Sequence, residues 1–175
     1  MSKDALLVID MLNDFVLEGA PLEVPDARKI IPKIKTCIKN FRRDHCPVIY
    51  VCDYHEKDDE EFTRMDWPPH AIEGTDGANI ITELQPTSGH DFVVPKRTYS
   101  GFHDTGLGVL LLKHGITDLI VMGCVTNICV LYTVADAIQH GYKVTVPHNG
   151  VAALSEADHG FALKQMETVL GATIL

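Results

Sequence analysis

Cys129 is the residue of this chain best suited to act as a nucleophile. It lies in GCVTNICV, residues 123–130, where an apolar run predicted as a strand ends and a helical pattern begins. The free N–H groups and partial positive charge of a helix start stabilise a thiolate, and a nearby lysine would lower the thiol pKa further. A cysteine at such a place can also be a small, unreactive buried hydrophobic residue. Whether Cys129 is a nucleophile therefore depends on which side chains the fold places beside it.

Three further reactive residues follow predicted strands as Cys129 does. Asp10 follows the first strand, Asp53 the second and Lys96 the third, while Cys129 follows the fourth by one tight turn. Open parallel sheets bind ligands at the carboxyl ends of their strands, so these side chains are expected to meet at one edge. Taken singly, the acids could form turns and the lysine could be a solvated surface charge. Together they predict nucleophilic catalysis, in which a carboxylate takes the thiol proton and the thiolate attacks a carbonyl carbon.

Asp53, His55 and His70 offer the ligands of a metal site beside these residues. Asp53 and His55 alternate just past the second predicted strand, and His70 comes from the same long loop. One carboxylate and two imidazoles with open coordination positions fit zinc, iron or manganese. The Asp-x-His fragment also occurs in proteins without a metal, so the spacing by itself leaves a structural role open.

The elements that must position these residues alternate between strands and helices. This alternation predicts an α/β fold with three layers, in which a six-stranded, mostly parallel sheet carries helices on both faces. The stretch 53–77 has no regular pattern, and its acidic run 56–61 is interpreted as a solvated loop. Strands are predicted at 5–9, 47–52, 91–94, 118–122, 142–146 and 172–175, and helices at about 27–43, 105–114, 127–140 and 156–170.

Composition predicts one soluble domain over residues 1–175. The chain is 46% hydrophobic and 22% charged, which suits one well-filled core. No apolar run is long enough to span a bilayer and the N-terminus lacks a signal pattern, so we expect a cytoplasmic protein and no membrane partner. Five cysteines without paired spacing suit a reducing compartment. The net charge of −9 argues against nucleic acid as a partner.

Five segments of the chain resemble the isochorismatase-like cysteine hydrolases, and within them the nicotinamidases most. The resemblance runs in the same order along both chains and covers nearly the whole sequence. Its most specific parts are WPPH followed by GTDGA, and YSGF after the lysine. The segments are IDMLNDF (9–15), CDYHEKDD (52–59), DWPPHAIEGTDGA (66–78), PKRTYSGF (95–102) and GCVTNICV (123–130).

The resemblance implies a role for each matching residue. It implies a catalytic triad of Asp10, Lys96 and Cys129, and a cis peptide bond between Cys124 and Val125. The N–H groups of Val125 and Cys129 would then form the oxyanion hole. The other implied sets are the ligands of a divalent metal, commonly zinc (Asp53, His55 and His70), and the aromatic walls of the substrate pocket (Phe15, Trp67 and Tyr99).

The function implied is that of a metal-dependent cysteine amidohydrolase. The resemblance favours a nicotinamidase, which converts nicotinamide to nicotinate and ammonia through a Cys129 thioester. Tyr54, Ala71 and Val125 depart from common nicotinamidase residues and bear on the substrate rather than on the triad or the metal. An N-carbamoylsarcosine amidase or another carbamoyl or ureido hydrolase is therefore the alternative. A non-catalytic binding protein on the same fold also stays open. The expected partner is a small-molecule amide, and a homo-oligomer is open because family members often self-associate.

Overall fold

The computed structural model describes residues 4–87 and 89–175, and its centre is a parallel sheet. The strands are β1 (Asp4–Ile9), β2 (Val48–Asp53), β3 (Asp91–Lys96), β4 (Asp118–Cys124), β5 (Lys143–Val146), β6 (Val151–Ala152) and β7 (Thr173–Ile174). Their order in the sheet is β3-β2-β1-β4-β5-β7, and β6 pairs with the end of β4 outside this order. Every pairing of these strands is parallel.

The helices lie on both faces of this sheet, which confirms the three-layer α/β prediction. They are α1 (Asn13–Val16), α2 (Ala27–Arg43), α3 (Glu60–Met65), α4 (Leu107–Lys113), α5 (Leu131–Gln139) and α6 (Glu156–Thr168), and a π-helical turn, Thr126–Val130, precedes α5. In the two described ranges, no helix combines the length and apolar character needed to cross a lipid bilayer.

Residues of β1 show why both faces must be covered. Leu6 and Val8 belong to the hydrophobic cluster that includes the apolar face of α2, whereas Leu7 and Ile9 belong to the cluster formed with α4, α5 and α6. Successive residues of a strand point to opposite faces of the sheet. All four side chains are nevertheless buried, so both faces are covered. This double burial explains the continuous apolar runs in the sequence.

Two details of the predicted architecture were wrong. Over residues 4–87 and 89–175 the sheet has seven strands rather than six, because Val151 and Ala152 pair with Gly123 and Cys124 at the end of β4. A two-residue strand is too short to leave a periodic pattern. The stretch 53–77 also contains α3, whose N-terminus is capped where the Asp59 side chain accepts a hydrogen bond from the Glu61 N–H at 2.9 Å.

Gly123 is expected to be the residue of β4 least tolerant of substitution. Its φ is +123°, which L side chains rarely adopt, and a Cβ there would overlap the carbonyl oxygen of Ile9. Backbone strain and overlap together predict that Gly123→Ala lowers the free energy of unfolding by about 3 kcal/mol. Urea denaturation measures the change. Gly108→Ala in α4 is the control, because its Cβ would enter open space and should change stability by no more than about 1 kcal/mol.

Candidate active site

The edge of the sheet formed by the ends of β1, β3 and β4 brings three predicted catalytic residues together. Lys96 ends β3, and its Nζ lies 2.9 Å from Oδ2 of Asp10 and 3.4 Å from Sγ of Cys129. The Cys129 sulfur is also within 4.8 Å of a carboxylate oxygen of Asp10. All three residues are at most 5% exposed. The chain therefore holds a thiol, a carboxylate and an ammonium group in contact and away from bulk water.

The buried charge of Lys96 is balanced by two carboxylates. Its Nζ forms ion pairs with both Asp10 and Asp53. Burial by itself lowers the pKa of Lys96, but the two negative charges outweigh burial and raise that pKa well above its usual value. An isolated ammonium group at this depth would be strongly destabilising, so Lys96 and the two acids form one electrostatic unit.

The two carboxylates of this unit have opposite pKa shifts. Burial, followed by the charge of Asp53, raises the pKa of Asp10 to about 6, although Lys96 opposes the change. Burial also acts to raise the pKa of Asp53, but Lys96 and His55 outweigh it and lower that pKa to about 2. A carboxylate with a pKa near neutrality can both accept and return a proton, so Asp10 has the properties of a general base.

Cys129 lies before the regular helix that was predicted to contain it, and the pKa of its thiol is raised rather than lowered. It lies in the π-helical turn Thr126–Val130, and α5 begins only at Leu131. Burial raises the pKa of its thiol well above the usual value, and Lys96 offsets this only in part. The lowering of the thiol pKa that was expected from a nearby lysine is present, but desolvation outweighs it. The resting thiol keeps its proton and needs a base to remove it.

The predicted metal ligands form a second group next to the first. One ligand atom from each of Asp53, His55 and His70 lies within 4.8 Å of the others. Oδ2 of Asp53 is 3.8 Å from Nε2 of His55 and 3.9 Å from Nε2 of His70. All three residues are at most 5% exposed. Asp53 therefore belongs to both groups, since its other oxygen pairs with Lys96.

The surroundings of both histidines fit a metal. Nδ1 of His70 donates to the Pro68 carbonyl oxygen at 2.8 Å, which leaves the lone pair on Nε2. Nδ1 of His55 lies 3.0 Å from Oδ2 of Asp59, and its buried Nε2 has no hydrogen-bond partner in the described parts of the chain. Imidazole ligands usually have such a carbonyl or carboxylate partner on the second nitrogen. Burial lowers the pKa of His55, but Asp53 and Asp59 outweigh it and raise that pKa to about 9, so a bound cation would displace a proton.

A cavity opens beside Cys129 and the metal-ligand group. It encloses about 420 Å³ including its mouth, and Phe15, Trp67 and Tyr99 are among its walls, where the family resemblance placed them. The peptide bond between Cys124 and Val125, of which Val125 lines the cavity, is cis, as the resemblance implied. Sequence reasoning missed five other lining residues, of which only Ile128 lies in a quoted motif: Leu22, Val24, Glu61, Ile128 and Leu154.

Glu61 corrects the interpretation of the acidic run 56–61 as a wholly solvated loop. Glu61 is 5% exposed and lines the cavity, and its Oε2 has no hydrogen-bond partner among the described residues. Burial, followed by the charge of Asp53, raises its pKa. The run leads into α3, and the first turn of this helix carries Glu61 inward. Only the identification of this short helix could have revealed it from the sequence.

Comparisons with known proteins agree with this fold and site. Residues 4–175 match the family model described as "Isochorismatase domain". The nicotinamidase of Escherichia coli is 30% identical, and the alignment covers 99% of this chain and 95% of that protein. The structure of N-carbamoylsarcosine amidase from Thermoplasma acidophilum is 36% identical, with a TM-score of 0.88 and coverage of 99% and 95%.

A third protein carries information on the metal. The structure of the pyrazinamidase of Pyrococcus horikoshii in complex with zinc is 29% identical, with a TM-score of 0.91 and 99% of both chains covered. The likeness to all three proteins extends along nearly the entire chain rather than over one motif. This chain belongs to the isochorismatase family, as a hydrolase related to enzymes that act on amide carbon–nitrogen bonds.

Proposed function

We propose that the protein is a metal-dependent nicotinamidase, which hydrolyses nicotinamide to nicotinate and ammonia. The observation that carries this proposal is that Cys129, which lies beside Asp10, lines an apolar, aromatic cavity. The same cavity is bordered by Asp53 and His70, two of the three grouped metal ligands. A flat aromatic amide placed there would have its carboxamide at the thiol and its ring against the aromatic walls.

The reaction has two half-reactions, and Asp10 and Cys129 act in both. In the first, Asp10 takes the proton of Cys129, the sulfur bonds to the carboxamide carbon, and the proton passes to the nitrogen as the carbon–nitrogen bond breaks. Ammonia leaves and a thioester remains. In the second, Asp10 takes a proton from water and the resulting hydroxide attacks the thioester carbon. The carbon–sulfur bond then breaks, Asp10 returns the proton to the sulfur, and nicotinate leaves. Lys96 holds Asp10 and the sulfur in place throughout, because it contacts both.

The oxyanion of both tetrahedral intermediates needs hydrogen-bond donors. We assign this role to the backbone N–H groups of Val125 and Cys129, residues that both line the cavity. One such donor typically contributes about 3 to 4 kcal/mol to the stabilisation of the transition state. General acid–base assistance adds a factor of about 100 to 10,000. Oxyanion stabilisation and general acid–base assistance are the two kinds of assistance that hydrolysis of an amide requires.

We propose that Asp53, His55 and His70 hold a divalent metal. Zinc is favoured because the related pyrazinamidase is in complex with it, while iron and manganese also suit these ligands. When bound, the metal would supply a Lewis acid for the pyridine nitrogen of nicotinamide. The unpartnered Nε2 of buried His55 supports this assignment, because buried polar atoms normally have a partner.

The charge of the cavity favours nicotinamide over N-carbamoylsarcosine. The described residues that line it include no arginine or lysine, whereas they include Asp53 and Glu61. N-carbamoylsarcosine carries a carboxylate, and apart from the proposed metal this lining offers it no cationic partner, because the nearby Lys96 is already paired with two acids. Nicotinamide is neutral and flat. The likeness to the Thermoplasma amidase keeps the carbamoyl compound as the second candidate.

Chelation is expected to reduce ammonia release from nicotinamide by about 100-fold, and added zinc should restore it. The same loss is expected for His55→Ala. Mutation of a residue that only hydrogen-bonds to a metal ligand weakens metal binding by about 10- to 100-fold, and removal of the ligand itself should weaken it at least as much. Ammonia is measured with a coupled assay on purified protein. His103→Ala, whose side chain is 65% exposed, is the control and should retain full activity. Full activity of chelated protein would contradict the metal requirement.

The substrate is tested separately by the ratio of kcat/KM for nicotinamide to that for N-carbamoylsarcosine. We expect this ratio to exceed about 100, because the carboxylate of N-carbamoylsarcosine would have no cationic side chain to pair with and would lie near the acidic groups of Asp53 and Glu61. A ratio below one, with Cys129 still required, would reject the nicotinamidase assignment and retain the cysteine amidohydrolase.

A further inference from the structure

Residues 66–80 form a loop, here called the His70 loop, that carries both a pocket wall and a metal-ligand candidate. Trp67 lines the cavity and His70 belongs to the group of three ligands. The loop lies against α1, which follows Asp10 by only a few residues. We infer that Asp14 is a positioning residue that holds the His70 loop in place, and this inference rests on the proposed function only in taking His70 as a ligand.

The first contact is made directly after His70. The N–H of Ala71 donates a hydrogen bond to Oδ2 of Asp14 at 2.8 Å. Ala71 is fully buried and has a φ of +45°, a left-handed conformation that is uncommon for residues other than glycine. Such a conformation persists only when surrounding contacts hold it. The Asp14 carboxylate is one of these contacts, so its loss should free the backbone beside His70.

The second contact is on the returning side of the loop. A Cβ placed on Gly77 would overlap the carboxylate of Asp14. The side chain of Asp14 therefore packs closely against the backbone at Gly77 while it binds the N–H of Ala71. A single carboxylate thus joins both sides of the loop to α1, across a gap of 57 residues along the chain.

The two neighbours of Asp14 strengthen this attachment. Nδ2 of Asn13 donates to the Asp76 carbonyl oxygen at 2.8 Å. The ring of Phe15 lies edge-on to the imidazole of His70, with 5.4 Å between the ring centroids. Three consecutive residues thus contact the loop, but only Asp14 reaches the residue adjacent to His70 with a hydrogen bond. The short segment from Asp10 to Phe15 thus connects the predicted base to the His70 loop, which carries the metal-ligand candidate His70 and the pocket residue Trp67.

A positioning role can be separated from a purely electrostatic one. The negative charge of Asp14 also acts on His70, where it favours the charged imidazole. Asp14→Asn removes this charge but keeps an oxygen that can accept from the Ala71 N–H. Asp14→Ala removes both. If the hydrogen bond is what matters, asparagine should preserve the loop and alanine should not.

Trp67 provides a direct measurement of the loop, because it is the chain's single tryptophan. In chelator-treated protein, we expect Asp14→Ala to raise the acrylamide quenching constant of Trp67 about two-fold and to shift its emission to longer wavelength. Asp14→Asn should match the parent protein. Gly77→Ala, which displaces the carboxylate from the other side, should resemble Asp14→Ala. Glu18→Ala, an exposed acid on the same segment, and Gly108→Ala are matched controls.

Zinc affinity is the second measurement, obtained by competition with a chromophoric chelator. We expect Asp14→Ala and Gly77→Ala to weaken binding by about 10- to 100-fold, the range found for residues that orient metal ligands. Asp14→Asn should stay within about three-fold of the parent protein. Parent-like quenching and affinity in Asp14→Ala would overturn the inference, as would an asparagine variant that behaves like alanine.

The two readouts separate this inference from the proposed function. If the parent protein binds no zinc, the metal assignment fails, while the quenching of Trp67 still tests whether Asp14 holds the loop. If Asp14→Ala does not fold, as judged by circular dichroism, Gly77→Ala and Asp14→Asn decide the question. In that case, parent-like quenching in Gly77→Ala would reject the positioning role.

Discussion

Replacing Cys129 with alanine is expected to lower kcat/KM for nicotinamide by at least about 10⁴-fold, the largest effect of any single change in this protein. The sulfur is the atom to which the acyl group bonds, and no other thiol can take its place. Cys124 is fully buried and its Sγ donates to the backbone oxygen of Asp10 at 3.3 Å. Ammonia release under substrate saturation and at low substrate concentration provides both kcat and kcat/KM.

The control for this prediction is Cys37→Ser, in the α2 helix on the opposite face of the sheet from α5. It should leave kcat/KM unchanged. Acid-quenched mass spectrometry of the parent protein during turnover should show the mass of a nicotinoyl group on Cys129 if the second half-reaction is the slower one. Substantial ammonia release by Cys129→Ala would reject the thioester mechanism.

Asp10→Asn is expected to reduce kcat/KM by about 1,000-fold, within the range for loss of general acid–base assistance. The change removes the base and its charge but nearly preserves the shape of the side chain. Asparagine also keeps an oxygen for the Asp53 N–H, which donates to Oδ1 of Asp10 at 2.7 Å. Because burial raises the pKa of the Cys129 thiol, the thiol of this variant should stay protonated and inactive.

The rate of alkylation of Cys129 by iodoacetamide reports this proton transfer without turnover. We expect the rate to fall in Asp10→Asn relative to Cys37 in the same sample, because no base is left to take the thiol proton as the sulfur attacks. The lost charge of Asp10 acts in the opposite direction, since that charge raises the pKa of the Cys129 thiol. Asp104→Asn serves as the control, because that side chain is 93% exposed and asparagine accepts the left-handed backbone there. An unchanged alkylation rate together with full activity would show that Asp10 is not the base.

Much of the fold could be predicted from the sequence because buried parallel strands are apolar on both faces. The runs that end before Asp10, Asp53 and Lys96 stand out for that reason, and the predicted helix at 27–43 agrees with α2 as observed. What could not be predicted lacks a repeating pattern. β6 has two residues, and α3 has six, so neither is long enough to show a period.

The sequence by itself determined which reactive groups meet. Asp10, Lys96 and Cys129 each follow or end a parallel strand, and parallel connections bring such ends to one edge whatever the details of packing. The tertiary structure alone decided how these groups behave. Desolvation keeps the proton on Cys129 and raises the pKa of Asp10 to about 6, and desolvation depends on the assembled core rather than on neighbours in the chain. The burial of Glu61 and the contact of Asp14 with Ala71 likewise arise only when distant segments pack together.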